Sequence, residues 1–362
     1  MKLSDLGETG LLDLFRDWTG GASGRVHLGV GDDGAILDPT GNEQVVISTD
    51  AWVEGVHFSR EYLKPDEIGH RAMAGSLSDL AAMGARGIAA FVNLHAPPSE
   101  SVVFVRGLYQ GLDRVADSCG VVIAGGDTVR GEVALDLTVV GLVGLGKAIR
   151  RKGAQPGDIL CVSGSLGAAE AGRRSLAGEL EEPLPKALRE EAETAHRLPR
   201  PRFDVSGLLT TLERRTVDVE LERETVEPVR PTAMMDVSDG LSADLIRLCE
   251  ASHVGCVLDE ARIPVSPAAR RVGRLAGGHE SDLALGGGED FELLFTWPAA
   301  DAELLLETAQ KRGIAISPIG SITPIRDGRV LRRADGKAEP MEAAGWDHFA
   351  GKTPRRPARG SR

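Results

Sequence analysis

The sequence predicts a mixed α/β (α+β) chain of two domains. Its 362 residues are enough for two hydrophobic cores. Apolar strand-like runs mix with helical stretches along its whole length. A basic segment containing Pro and Gly, RKGAQPGD at 151–158, reads as the hinge between the halves. The division expected is 1–148, 149–350 and a basic tail, 351–362.

Residues 7–20 read as a short amphipathic helix, with a Gly-rich stretch to about Gly24. QVVIST is a strand running into Asp50. Pro65 opens a helix where its missing N–H is tolerated, and the helix stops near Gly84. After Pro98 a second helix is predicted, with Ser99 as N-cap and Gly120 as its stop. VVIAGGDT is a strand ending in a Gly-rich turn, and VALDLTVVGLVGLG is a long apolar strand. Beyond the hinge come the strand ILCVSG, a charged surface helix or insertion at about 178–195, and the strand AMMD. Then follow the helix LSADLIRLCEAS ending at Gly255, the strands CVLDE and FELLFTW, and the helix AADAELLLETAQKRG. The final GKTPRRPARGSR is basic, rich in Pro and Gly, and predicted to be disordered.

The net charge of −12 argues against a nucleic-acid partner, which requires a basic surface. No run approaches 18 consecutive apolar residues, and the N-terminus lacks the layout of a secretory signal, so neither a membrane span nor export is expected. Cys119, Cys161, Cys249 and Cys256 form no CxxC pair and read as reduced thiols of a cytoplasmic protein. An anionic substrate would be repelled by this chain unless cations intervene. The placement of the acids therefore matters more than their number.

Six patches share one design, an acid among Gly, Ser or Thr beside an apolar segment. They are GVGDDGA (Asp32, Asp33), ISTDA (Ser48, Thr49, Asp50), SLSDL (Asp79), GGDT (Asp127), DVSDG (Asp236, Asp239) and GGGED (Glu289, Asp290). Small neighbours allow close backbone approach, and hard carboxylate oxygens suit Mg²⁺. Any single patch also reads as a turn or helix cap; the whole set points to a metal site. Asp79 is the most informative residue. Its helix is apolar or small nearly all round, so its carboxylate needs a partner, either a metal ion or a structural cation such as Arg71.

GVGDDG fits GxGxxG formally, but two carboxylates fill the loop that should cradle a pyrophosphate. There is no P-loop, no HExxH, no GxSxG elbow and no Cys–His arrangement. Phosphoryl transfer fits what remains, because it asks mainly for positioning and charge neutralisation. A phosphate acceptor would be anionic already and would need no strong base.

The motifs GVGDDGAIL, ISTDAWVEGVHF, LSDLAAMGA, GGDTVRG, RKGAQPGD, MDVSDGLSADL, GGGEDFELLF and GWDHF run in order from about Gly7 to Phe349. In them the chain resembles the thiamine-monophosphate kinase family, within the wider superfamily of aminoimidazole-ribonucleotide synthetase and selenophosphate synthetase. The resemblance implies Mg-dependent transfer of the γ-phosphoryl group of ATP onto thiamine monophosphate. It implies an N-terminal four-stranded sheet that pairs across a homodimer, and an α+β C-terminal domain closing the cleft. Carried over by position, the metal ligands are Asp33, Ser48, Thr49, Asp50, Asp79, Asp127, Asp236 and Asp239, holding several Mg²⁺ ions, with Asp79, Asp127 and Asp239 as the catalytic group. ATP falls to Tyr109, Gly126, Asp127, Arg151 and Ser238, and thiamine monophosphate to His57, Glu289 and Trp346. The chain departs from the family pattern at Trp346, where the family has Tyr, and at Ser76, where it has Asn.

Other members of the superfamily are less well matched. A hydrogenase-maturation dehydratase is expected to carry a C-terminal cysteine tail, where this sequence reads ARGSR. Selenophosphate synthetase needs a reactive Cys or selenocysteine near the N-terminus, and no cysteine precedes Cys119. VEGVHF and GWDHF favour the thiamine branch over aminoimidazole-ribonucleotide synthetase. A non-catalytic cation binder is the remaining class, although DxDxDG spacing is absent.

Overall fold

The computed structural model describes Trp18 and residues 26–28, 36–37, 39, 41–218 and 223–346. The predicted helix over 7–20 (Trp18 apart), the Asp32–Asp33 patch and the basic tail lie outside the described residues. Two short strands, β1 (Val26–Leu28) and β2 (Ile36–Leu37), pair antiparallel.

The first large sheet contains β3 (Glu43–Val53), β4 (Arg86–Ala96), β5 (Val122–Arg130) and β6 (Ala134–Gly144), in the order β3-β6-β4-β5. Only the β4–β5 pair is parallel. Side chains alternate across a strand, and β3 shows it clearly. Val46 and Trp52 are buried on the inner face, whereas Val45 and Ile47 on the outer face are 49% and 61% exposed. Helices α1 (Pro65–Ala82) and α2 (Val102–Ser118) cover the inner face, where Leu135, Leu137, Val139, Val92 and Leu94 form the core floor. Among the described residues no helix is long and apolar enough to cross a membrane.

The sequence explains α1 well. Pro65 takes the first turn, and the Glu67 carboxylate accepts the Lys64 N–H at 2.9 Å. Gly84 adopts φ 69° just beyond the last turn, where a left-handed residue stops the helix. The second helix is capped by Ser101 rather than Ser99, because Ser101 Oγ accepts the Phe104 N–H at 3.1 Å and Pro98 lies a turn too early. The segment VVIAGGDT does not end in a turn either. β5 continues through both glycines to Arg130, with an irregularity in its pairing to β4 between Ala90 and Phe91. Gly126 has φ 149°, and a Cβ there would lie 1.9 Å from the Val92 carbonyl oxygen, so only glycine lets the strand pass.

The second half is built on a seven-stranded sheet. Its strands are β7 (Ile159–Ser163), β10 (Ala233–Asp236), β11 (Gly255–Asp259), β12 (Leu293–Trp297), β13 (Ile316–Thr323), β14 (Arg329–Arg332) and β15 (Ala338–Pro340), ordered β10-β12-β7-β13-β11-β14-β15. A separate hairpin joins β8 (Glu213–Asp218) and β9 (Arg223–Pro228). The helices are α3 (Ala168–Leu176), α4 (Lys186–Arg197), α5 (Phe203–Thr211), α6 (Leu241–Ser252), α7 (Pro267–Leu275), α8 (Asp282–Gly286) and α9 (Ala302–Lys311). The charged stretch is α4, which buries little besides Ala192 and His196. α6 ends at His253 (φ 58°), not at Gly255, which is the first residue of β11. His253 takes the left-handed position instead.

Helix α1 belongs to both halves. It packs on β3 and β6 of the first sheet and also on β10 and α4 of the second half. Glycines allow this closeness. A Cβ at Gly69 would sit 2.0 Å from Leu108 O, and one at Gly111 would sit 2.0 Å from Asp66 O, so α1 and α2 meet backbone to backbone. Gly111→Ala should therefore destabilise the fold by about 1–3 kcal/mol through overpacking. Urea unfolding checks this, and an unchanged midpoint would mean that the two helices part without cost.

Candidate active site

The seam between the halves gathers carboxylates from three elements. Alternation along β3 points Ser48 and Asp50 inward, toward α1. Asp79, in the last turn of α1, accepts a hydrogen bond from Ser48 Oγ at 2.5 Å. Asp236, the last residue of β10, is buried, and the strand ends where α1 crosses it.

These three carboxylates feel one another. Burial, then the charge of Asp79, raises Asp50 to about 6. Burial raises Asp79 despite the Ser48 hydrogen bond and the positive charge of Arg151. Asp236 is raised by burial and by both Asp79 and Asp50. Like charges out of water disfavour their own ionisation. Among the described residues none of the three makes a salt bridge. The Ser76 and Ser78 hydroxyls, near Asp50 and Asp236 respectively, are buried without a well-formed hydrogen bond.

This donor set suits Mg²⁺: hard carboxylate and hydroxyl oxygens with surplus negative charge in one place. Among the described residues no three His, Cys, Asp or Glu side chains close tightly enough to cage an ion alone. That agrees with the habit of Mg²⁺, which is usually held by one or two carboxylates together with substrate phosphates and water.

The other expected ligands are placed differently. Thr49 stands on the outer face of the sheet, exposed and paired with Thr138, so its hydroxyl is not beside Ser48 and Asp50. Asp127 is also apart. The row through Asp50 crosses Leu137, Val92 and Gly126, so β5 lies three strand spacings, about 14 Å, from β3. The Asp127 carboxylate is exposed and accepts the Thr128 N–H at 2.7 Å. Asp33 lies outside the described residues.

Beside Asp236 the DVSDG turn is held by a residue that the sequence reading missed. Asp244, fully buried on α6, accepts the backbone N–H groups of Ser238, Asp239 and Gly240 at 3.1, 3.1 and 3.2 Å. Burial, then the charge of Asp239, raises its pKa to about 6. Arg247 reaches both Asp239 and Asp244, the latter at 2.7 Å. Trp346 is fixed against the same turn: its N–H donates to Asp239 O at 3.2 Å, and its side chain is half-exposed. Ser242 Oγ donates to Ala344 O at 2.8 Å, pinning the segment that carries it.

Arg151 is exposed on the hinge, with its carbonyl accepting from Ser252 Oγ at 3.2 Å. His57 Nδ1 accepts the Val53 N–H at 3.0 Å, so its proton sits on Nε2. Its ring lies 6.0 Å from that of Trp52. Glu289 pairs with Arg71 at 2.6 Å, so Arg71 serves Glu289 and not Asp79.

Two residues are structural. Asp290 turns away from the seam to accept the N–H groups of Gly167 and Ala169 at 2.6 and 3.2 Å, capping α3, and burial lifts it to about 7. Tyr109, expected to stack on adenine, is buried in the core with its ring 5.9 Å from that of Trp18. The inward stripe of α2 buries this aromatic.

Residues 31–143 match the family AIR synthase related protein, N-terminal domain, and residues 155–332 match the corresponding C-terminal domain. The thiamine-monophosphate kinase of Synechococcus elongatus is 38% identical over 86% of this chain and 89% of its own length. The crystal structure of thiamine-monophosphate kinase from Stenotrophomonas maltophilia K279a superposes with a TM-score of 0.75 at 35% identity, covering 92% of this chain and 98% of that one. A structure of AaThiL complexed with AMPPCP and TMP superposes at 0.70 with 29% identity, covering 96% and 99%. At 38% identity over most of both lengths, the chain belongs to the thiamine-monophosphate kinase family.

Proposed function

We propose that this chain transfers the γ-phosphoryl group of ATP to thiamine monophosphate, giving thiamine diphosphate and ADP. The observation that carries the reading is the unpaired meeting of Asp50, Asp79 and Asp236 at the seam of a chain from this family. These residues, with Ser48, would hold Mg²⁺ together with Asp33 and Asp239; Asp127, three strand spacings away on β5, is proposed for a further ion of the set. Bound there, the metal neutralises phosphate charge and stabilises the charge developing on the transferred group.

The chain's own groups bind and orient. Asp79, Asp127 and Asp239 are the proposed catalytic residues, at the phosphate end. Arg151, close enough to Asp79 to act on its charge, offers the nucleotide a planar fork of donors. Gly126, on β5, is a proposed nucleotide contact, and Ser238 sits in the turn that presents Asp239. His57, as an Nε2 donor, Glu289, as an acceptor, and the π face of Trp346 form the proposed thiamine pocket, where an aromatic ring suits the cationic heterocycle. The acceptor phosphate is an anion near neutral pH, so no general base has to be supplied.

The domains are proposed as 1–148 and 149–350, and the enzyme as a cytoplasmic homodimer. For the compartment, the support is four thiols left unbonded, three of them buried. For the dimer, the support is the outer face of the first sheet. Val45 and Ile47 are exposed there, paired with Leu142 and Val140.

Incubation with ATP, Mg²⁺ and thiamine monophosphate should yield thiamine diphosphate, while unphosphorylated thiamine should yield none. Asp79→Ala should lower kcat at least about 10²-fold, as for other losses of transition-state charge stabilisation. Cation binding without turnover would favour a non-catalytic binder instead.

The raised carboxylates also set a pH dependence. A carboxyl whose pKa is higher folded than unfolded stabilises the fold below about 4, and that contribution is lost as pH climbs through its folded value. For Asp50 and Asp290 those values are about 6 and about 7. Mg²⁺ needs the ionised form, so it should raise Tm more at pH 8 than at pH 6. An equal or reversed effect in calorimetry would remove Asp50 from the metal site.

Ile47→Lys should shift the sedimentation mass toward the monomer; an unchanged dimer would place the interface elsewhere.

A further inference from the structure

We propose that Arg71, braced by His196, is a positioning residue for the thiamine substrate: it orients the Glu289 carboxylate and fixes its distance from the acidic seam. This rests on the reading of Glu289 as a substrate contact.

Arg71 lies on α1 and is fully buried. A buried guanidinium needs a counter-charge, and among the described residues Glu289 is the carboxylate ion-paired with it, Nη2 to Oε1 at 2.6 Å. Its other nitrogen, Nη1, donates to the His196 carbonyl and lies 3.0 Å from His196 Nδ1. Guanidinium only donates, so Nδ1 must be an acceptor and the ring neutral. Burial and the Arg71 charge hold His196 well below its ordinary pKa, which keeps it neutral. Glu289 Oε2 is 3.8 Å from that Nδ1, beyond hydrogen-bond reach, and the side chain is 28% exposed. One carboxylate oxygen is thus tied down while the other keeps its capacity to accept.

The loop is held with equal care. Glu289 has φ 60°, a left-handed backbone that a side-chain-bearing residue rarely adopts. Its N–H donates to Ser238 O at 2.8 Å, joining it to the turn that carries Asp239. The Trp52 ring lies 5.9 Å from the guanidinium, and Trp52 is two residues from Asp50 on the inner face of β3.

Helix α1 supplies the spacing. Ser78, two turns after Arg71 on the same stripe, lies by Asp236. Arg71 and Asp79 are eight residues apart, a rise of about 12 Å. One rigid helix therefore sets the separation between the cation-seeking carboxylate and the phosphate-handling aspartates. That is the layout for a substrate with a cationic ring at one end and a phosphate at the other. Arg71 and His196 act through Glu289 and need not touch the substrate.

Steady-state kinetics of Arg71→Met, Arg71→Lys, Glu289→Gln and the Met/Gln double variant test this. Arg71→Met should raise KM for thiamine monophosphate by at least about tenfold, and KM for ATP by less than about twofold. Arg71→Lys should recover part of the loss, and Arg71→Met should add little in the Glu289→Gln background, as expected for coupled residues. Equal changes in both KM values, a fall in kcat alone, or full additivity would overturn the proposal. If Glu289→Gln raises KM while both Arg71 variants are silent, positioning fails and the Glu289 reading stands. If Glu289→Gln is itself silent, that reading fails and takes this proposal with it. Should Arg71→Met not fold, Arg71→Lys carries the same comparison.

Discussion

The structure turns on one electrostatic conflict, three aspartates drawn from water into the same seam. Asp50, Asp79 and Asp236 come from a strand, a helix and a second strand, and burial is the first cause of each raised pKa. A fold selected for stability alone would put apolar side chains there or give each carboxylate a partner, as Arg202 does for Glu292. Leaving the carboxylates without a permanent cation keeps the seam receptive to one that arrives with phosphate. The disadvantage is that stability then depends on protons or ions, which couples folding to ligand.

A single strand separates two tasks. On β3 the inward residues Ser48, Asp50 and Trp52 face α1, while the outward Val45, Ile47 and Thr49 are exposed. Because the side-chain period is two, a slip of one residue would exchange the two sets completely. The eleven paired positions of β3 against β6 prevent that slip. The polar inner face and the exposed apolar outer face are thus fixed by the same register.

Much of this was legible in the sequence, and what was missed has a physical pattern. The short acidic patches were visible because a carboxylate beside Gly, Ser or Thr at the end of an apolar run is a local feature. Helix α1 was bounded by Pro65 and Gly84 for the same reason. Errors arose where two local signals competed. Ser101 capped α2 in place of Ser99, and His253 took the left-handed position expected near Gly255. The hairpin β8–β9 was missed because its charged residues offer no apolar face to read. Arg71 and His196 were illegible as site residues, since their importance lies in partners up to 218 positions away. Asp290 looked like Glu289 in sequence, yet the backbone at Glu289 sends the two carboxylates to different duties.

Asp239 carries a charge contact that the turn does not need to keep its shape. Arg247 occupies its carboxylate and also reaches Asp244. A metal ion taking Asp239 has to displace a guanidinium, and Arg247 is partly exposed, so the released charge can be hydrated again. The turn does not depend on that contact. Asp244 keeps three backbone amides, and a Cβ on Gly240 would lie 2.9 Å from Gly286 Cα, so the backbone has little room to relax. Its rigidity comes from the buried carboxylate, and its responsiveness from the exposed one. Two aspartates five residues apart therefore divide between them the holding of the loop and the handling of charge.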